Sequence, residues 1–331
     1  MSDLPEYIES LMSECIGCGL CDESCPSFNH GGCSPQSVMN GEDGNVTLCI
    51  GCGRCSSVCS STNPFKVMMY MNCRESSAKI PESFYETGYI MQAGNHPSRT
   101  ELPYAPTGDD AYIMAGCTVE CKLPFLKYAT GIAMDAIGVK HSELPNPTCC
   151  TFPVPFRSLS DAERDEYKLK MGNQAKDREI ITICPGCADE LKNSGVNARH
   201  ITKLLYENKN KISELPGVSL EVALEPGCAL EYFAKEFEAI VRTTGATPIG
   251  NKIGCCGKSV KGVSSQLMIE RQDEIKGVDA VIVGCPFCTF KYDSIVNGVP
   301  VLHISELIAL AAGNSSTQKY HRLKLNDDNN A

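Results

Sequence analysis

Over the last two thirds of the chain, short apolar runs alternate with amphipathic stretches. Residues 111–115 (AYIMA), 179–183 (EIITI), 220–224 (LEVAL) and 279–283 (DAVIV) are short and mostly apolar, rich in Ile and Val, a pattern that predicts buried strands. The intervening stretches predict helices. Residues 124–137 place apolar side chains at helical spacing, 161–176 opens with a Ser160/Glu163 capping box, and 228–244 runs helically up to Gly245. Two more helical segments, 201–207 and 303–312, each begin at a histidine, His200 and His303. Strand alternating with helix implies α/β layers over a mainly parallel sheet.

The same region repeats itself. Gly116-Cys117, Cys149-Cys150 and Cys184-Pro185-Gly186-Cys187 are followed by Gly227-Cys228, Cys255-Cys256 and Cys285-Pro286-Phe287-Cys288, in the same order but with shorter spacers. A duplicated domain accounts for this order. Residues 74–110 contain no cysteine but carry four prolines and three glycines, which reads as a linker with room for one short helix around 82–93.

Composition adds a charge and a metal. The 331 residues are 42% hydrophobic and carry 30 Lys+Arg against 40 Asp+Glu, a formal net charge of −10. That balance, with no basic stripe, gives no footprint for nucleic acid or an anionic membrane. Cysteine is the outlier at 21 residues. The count is odd, and most thiols fall in Cys-x-x-Cys pairs, which suit a metal better than a disulfide framework. Residues 1–14 lack a basic-then-apolar leader. No apolar stretch reaches the roughly 18–20 residues of a membrane span, the best being 304–312. A cytoplasmic, metal-loaded protein with no direct membrane span is expected.

The N-terminal thiols have the most specific spacing. Cys15-x-x-Cys18-x-x-Cys21-x-x-x-Cys25-Pro26 and Cys49-x-x-Cys52-x-x-Cys55-x-x-x-Cys59 are two copies of the bacterial-type iron–sulfur run. Three thiolates spaced by two residues wrap three corners of a cubane [4Fe-4S] cluster, and in two-cluster proteins the fourth cysteine ligates the other cluster. Cys15, Cys18, Cys21 and Cys59 are therefore assigned to one cluster, and Cys49, Cys52, Cys55 and Cys25 to the second. Gly17, Gly19, Gly51 and Gly53 let the backbone turn tightly around them. Tetrahedral zinc, the alternative, has no use for the regular third and fourth cysteine. Cys33 and Cys73 lie outside both runs and read as small buried side chains.

Each later half supplies a lone cysteine, a vicinal pair and a Cys-Pro-x-Cys. Five thiolates exceed what a cubane uses, and a vicinal pair reaches two corners of one cube poorly. The chemistry suggests an unusual cluster with more ligands than corners, or a redox-active pair beside a metal.

These residues resemble a known family. Gly116-Cys117, Cys149-Cys150 and Cys184-x-x-Cys187 are similar to the CCG domain of the B-type subunit of heterodisulfide reductase, and Gly254-Cys255-Cys256-Gly257 with Gly284-Cys285-Pro286-Phe287-Cys288 is similar to a second such domain. The N-terminal runs resemble the C-type subunit, a helical ferredoxin. The fused order resembles the fused catalytic subunit of some methanogens. The resemblance implies a helical ferredoxin domain over 1–76 and α/β CCG domains over 111–217 and 218–315, while composition marks a linker over 77–110 and a flexible polar tail over 316–331. It also implies two cubane [4Fe-4S] clusters and one or two non-cubane [4Fe-4S] clusters. The catalytic ligands would be Cys117, Cys149, Cys150, Cys184 and Cys187 at one site, and Cys228, Cys255, Cys256, Cys285 and Cys288 at the other. The implied substrate is the coenzyme M–coenzyme B heterodisulfide, with electrons from a flavoprotein or cytochrome subunit in a larger complex. Thr151 follows the first vicinal pair where the pattern has glycine, and Ser60 follows Cys59 where it has proline.

Two other functions fit the same motifs. One is an iron–sulfur subunit serving a flavin enzyme that acts on fumarate, succinate or a hydroxy acid such as lactate or glycolate; the other is an electron-transfer adaptor. Lys122, Arg157 and Lys258 stand next to cluster cysteines, where they are either solvated surface charges or contacts for an anionic coenzyme. Cys121 reads as packing, and His200 and His303 as helix caps or structural histidines. No G-x-G-x-x-G or P-loop follows any strand, which places a nucleotide or flavin on a partner.

Overall fold

A computed structural model describes residues 4–250, 254–258, 260 and 262–325. Residues 326–331, the end of the expected tail, lie outside the described residues. The chain divides into two compact units that do not follow chain order: one gathers the residues up to Ile80 with Pro153–Ser160 and Cys255–Arg271, the other Pro81–Phe152, Asp161–Gly254 and Gln272 onward.

The first unit is helical. Glu6–Ser13, Pro35–Met39 and Pro64–Glu75 enclose a core of Ile8, Cys33, Val38, Met39, Val46, Val67 and Met68. Asn63 caps the longest of these helices by accepting from Lys66 N–H, with Pro64 at the first helical position, where its missing N–H costs nothing.

The second unit holds two four-stranded parallel sheets of the same topology. β1 (Ala111–Met114), β2 (His141–Glu143), β3 (Glu179–Thr182) and β4 (Ala198–His200) are ordered β2-β1-β3-β4. β5 (Glu221–Glu225), β6 (Thr247–Pro248), β7 (Ala280–Val283) and β8 (Val301–His303) are ordered β6-β5-β7-β8. The expected mixed α-helical and α/β architecture is present. The central strands β1, β3, β5 and β7 are those the apolar runs predict. The outer strands were missed because they are two or three residues long and include His141, Ser142, Glu143 and Arg199, too polar to read as strands.

The halves also share helices. Ile304–Ala311, which follows β8, packs on Phe125–Ala136 of the first half, where Thr130 Oγ1 lies 3.1 Å from Ser305 Oγ. Ile201–Glu207, which follows β4, packs on Ala234–Thr243 of the second half. Each half thus lends a helix to the other, and one apolar core runs through both.

Three expectations are modified. The helix expected over 228–244 starts as a 3-10 turn, Cys228–Phe233, and becomes α-helical only at Ala234–Thr243. The linker contains two helices, Glu82–Thr87 and Ser98–Glu101. Part of the tail expected to be flexible is packed: Thr317, Gln318 and His321 are buried, and Tyr320 stacks on Phe125 at 5.6 Å and donates to Glu101 Oε2 at 2.7 Å.

Candidate iron–sulfur centres

In the first unit the two cysteine runs have the same local structure. Gly17 and Gly51 sit at φ +68° and +63°, and Gly19 and Gly53 at +79° and +80°, a left-handed backbone that residues with a Cβ rarely adopt. Each second glycine starts a one-turn helix carrying the third cysteine, Cys21 in Leu20–Glu23 and Cys55 in Arg54–Ser57.

Cys15, Cys18, Cys21 and Cys59 line one cleft, with Ile16 and Leu20 at its rim. Cys18 and Ile16 are exposed. Cys25, Cys49, Cys52 and Cys55 form a second, more buried group: the other three thiols all raise the Cys55 thiol electrostatically, after the larger effect of burial. The donors in each group are thiols alone, a soft set suited to iron–sulfur clusters. Cys33 lies within hydrogen-bonding reach of both Cys25 and Cys49. Its hydrogen bond is the main cause that lowers Cys25, to about 7, and Cys49. Its position was not legible in the sequence, because Cys33 belongs to neither run.

The second unit brings the first CCG set together. Cys149 is within hydrogen-bonding reach of Cys117 and Cys150, Cys150 of Cys187, and Cys187 of Cys184. Cys184 in turn reaches Cys285, which reaches Cys288. Hydrogen bonds from Cys149 and Cys187 lower the Cys150 thiol to about 5. Cys184 and Cys285 are the N-caps of helices Pro185–Asn193 and Pro286–Ile295, each with proline at the first helical position. The positive end of each helix dipole therefore faces thiols, which favours thiolate.

Glycine makes room for sulfur in both halves. A Cβ on Gly116 would lie 3.1 Å from Cys187 Sγ, and one on Gly227 would lie 3.4 Å from Cys288 Sγ. The expected linker contributes to the first half as well, since Gly88 O accepts from Cys149 N–H at 2.8 Å and Met91 O from the Cys121 thiol at 3.1 Å. Tyr89, also missed, is held neutral there by burial and by nearby acidic groups including Glu120 and Cys117.

Cys228 belongs to the second unit, whereas Cys255 and Cys256 are buried in the first. Gly257 takes φ +64°, and the equivalent Thr151 takes φ +63°, so the threonine occupies the conformation that the family's glycine would adopt freely.

His200 and His303 cap helices, accepting from Thr202 N–H at 3.4 Å and Ser305 N–H at 3.3 Å. His200 Nε2 donates to Ile183 O at 2.8 Å, which fixes the strand end next to Cys184. His303 Nε2 makes no hydrogen bond of good geometry among the described residues. Burial keeps both rings neutral, lowering His200 to about 3 and His303 to about 4.

Among the described residues, no helix is long and apolar enough to cross a membrane, and no three His, Cys, Asp or Glu side chains form a site for a single metal ion.

Comparison with known proteins agrees with this layout. Residues 8–60 match the 4Fe-4S dicluster domain, and residues 112–192 and 222–292 each match the cysteine-rich CCG domain. The B subunit of the ferredoxin/F420H2-dependent CoB-CoM heterodisulfide reductase of Methanosarcina acetivorans is 28% identical over 265 residues, covering 61% of this chain and 88% of that protein. The chain joins a 4Fe-4S dicluster domain to two CCG domains, an arrangement like a fusion of the heterodisulfide reductase B and C types. The B subunit of the ferredoxin:CoB-CoM heterodisulfide reductase of Methanosarcina mazei is 26% identical over 271 residues, covering 62% of this chain and 90% of that one. The fusion is an iron–sulfur oxidoreductase, and its relatives are subunits of larger complexes.

Proposed function

We propose that this fusion reduces a small-molecule disulfide, the coenzyme M–coenzyme B heterodisulfide by analogy with its relatives, in the cytoplasm and within a complex that supplies electrons. The continuous series of thiols from Cys117 to Cys288 carries this reading, because within it the two halves meet at Cys184 and Cys285. Cys117, Cys149, Cys150, Cys184 and Cys187 hold one non-cubane cluster. Cys228, Cys255, Cys256, Cys285 and Cys288 are the equivalent set in the repeat, and of these Cys285 and Cys288 lie in the same series of thiols. Cys15, Cys18, Cys21 and Cys59 hold one cubane cluster, and Cys25, Cys49, Cys52 and Cys55 the second. When bound, the clusters supply electrons one at a time.

Splitting a disulfide takes two electrons and two protons and yields two thiols. Two ligand sets suit that stoichiometry, since a cluster held at each would supply one of the two electrons. The chain's own residues provide the setting: the helix N-termini behind Cys184 and Cys285 favour negative charge on sulfur, and His200 holds the strand that carries Cys184. The exposed Cys18 and Ile16 mark the first cubane site as the point where an electron-donating flavoprotein or cytochrome subunit would dock.

The test is disulfide turnover by the anaerobically purified chain with a reduced viologen dye as donor, paired with EPR of the protein oxidised in the presence of coenzyme M. Thiol-dependent signals, and turnover abolished by Cys149→Ser, are expected. Two cubane signals without a thiol response would leave an adaptor. Turnover of a carboxylic acid through a co-purifying flavin subunit would favour the hydroxy-acid or fumarate reading.

A further inference from the structure

Lys258 follows the second vicinal cysteine pair, and its side chain runs to the second ferredoxin run. Its Nζ lies 3.5 Å from Gly51 O. A Cβ on Gly51 would come within 2.6 Å of that Nζ, so the glycine between Cys49 and Cys52 leaves the space the ammonium occupies. The approach is fixed from the other end too. Gly257 and Lys258 both take positive φ, +64° and +49°, and Lys258 O accepts from Ser264 Oγ at 3.1 Å. A non-glycine residue at positive φ persists only where its surroundings hold it there. The same Gly51 donates its N–H to Cys49 Sγ at 3.4 Å, so the ammonium lies beside the residue that bonds this thiol and within electrostatic reach of it.

We propose that Lys258 is a positioning residue that sets the redox level of the second ferredoxin-type cluster, making it the more readily reduced of the two cubane centres. The Cys255-Cys256-Gly257 loop delivers this charge, so the placement of that loop and the potential of the cluster are linked. The proposal rests on the reading that Cys25, Cys49, Cys52 and Cys55 hold a cluster. A positive charge beside a ligand thiolate stabilises the reduced, more negative state. The first cubane site lies in the cleft lined by Ile16, Leu20, Gln36, Ser61 and Pro64, with no cationic side chain in its lining among the described residues.

The experiment is an EPR-monitored redox titration of the cluster-loaded chain, comparing wild type, Lys258→Met and Lys258→Arg, with iron and sulfide measured on each. Lys258→Met is expected to keep its iron and both cubane signals. One signal should become about tenfold harder to reduce, about 59 mV for one electron, while the other stays in place. Lys258→Arg should restore most of the shift. Two cubane signals with unchanged potentials in Lys258→Met would overturn the proposal, as would equal shifts in both. A wild-type chain with no cubane signals would instead overturn the ligand assignment beneath it. If Lys258→Met loses iron, the Arg variant decides: unchanged iron and potentials near wild type support a role for the charge, and a shift as large as that expected for Met refutes it.

Discussion

Replacing His321 with glutamine should unfold the CCG unit at a much lower temperature, although the residue lies more than thirty positions beyond the last cluster cysteine. Its side chain is 1% exposed; Nε2 is 2.9 Å from Glu306 Oε1 and Nδ1 is 3.5 Å from Asp293 Oδ1. The Glu306 side chain is fully buried, and its other oxygen accepts from His303 N–H at 2.9 Å, closing the capping box of helix Ile304–Ala311. Burial alone would keep the imidazole neutral, but Glu306 and Asp293 outweigh it and raise His321 to about 10. Against an ordinary value near 6.5, that corresponds to roughly 4–5 kcal/mol at about 1.4 kcal/mol per pH unit. Breaking a buried ion pair from one side costs a similar amount, about 3–5 kcal/mol, because the other charge stays buried and uncompensated.

For a unit of this size, that loss lowers Tm by about 8–15 °C. The sign with pH follows from a folded pKa above the unfolded one. The stabilisation is complete below about pH 6.5 and fades as pH rises towards about 10. The difference in Tm between wild type and His321→Gln should therefore be largest near pH 6 and narrow by pH 9.5. Near-UV circular dichroism of the anaerobic, cluster-loaded proteins at one scan rate reads it. A difference below 2 °C at pH 6, or one that does not narrow with pH, would refute the reasoning.

Two further outcomes are expected. Thr151→Gly should stabilise the chain by about 0.5–1 kcal/mol, since it relieves a β-branched residue at φ +63° and removes a buried hydroxyl that makes no hydrogen bond among the described residues; a Tm lowered by several degrees would count against strain at this position. Cys33→Ala should keep the full iron content while lowering stability by about 1–2 kcal/mol, because Cys33 donates to cluster thiols without belonging to either run; loss of about four irons per chain would make it a ligand instead.

Much of this organisation was legible from spacing alone. The repeated Cys-x-x-Cys runs and the apolar strands β1, β3, β5 and β7 are local patterns, set within a dozen residues, and the positive-φ glycines of the runs follow from the same tight turns. What the sequence hid is pairing that no motif spells out. Cys33 gains its meaning from Cys25 and Cys49, which belong to different runs, and Lys258 from Gly51, 207 residues away. The packed tail reads as flexible because its polar composition conceals that Glu306 and Asp293 face His321 and that Tyr320 finds Phe125. Residues 77–110 look like a linker by their prolines and glycines, yet Gly88 and Met91 bond Cys149 and Cys121 through backbone carbonyls, which no side-chain pattern records.

The duplication survives in backbone geometry where it has faded in sequence. Gly116 and Gly227 take φ +79° and +96°, and in each half the first atom a Cβ there would meet is the last sulfur of the Cys-Pro-x-Cys turn. Thr151 and Gly257 share a left-handed conformation although only one of them is glycine. His200 and His303 cap equivalent helices beside equivalent turns. The halves diverge in what the backbone geometry does not constrain. His200 bonds the strand end before Cys184, whereas His303 is tied instead through Glu306 to His321, and only the second vicinal pair is followed by a lysine that reaches the backbone of a ferredoxin run. Shared backbone positions with unlike surroundings are what the proposed reaction would use, because the two sulfurs of a mixed disulfide are themselves unlike.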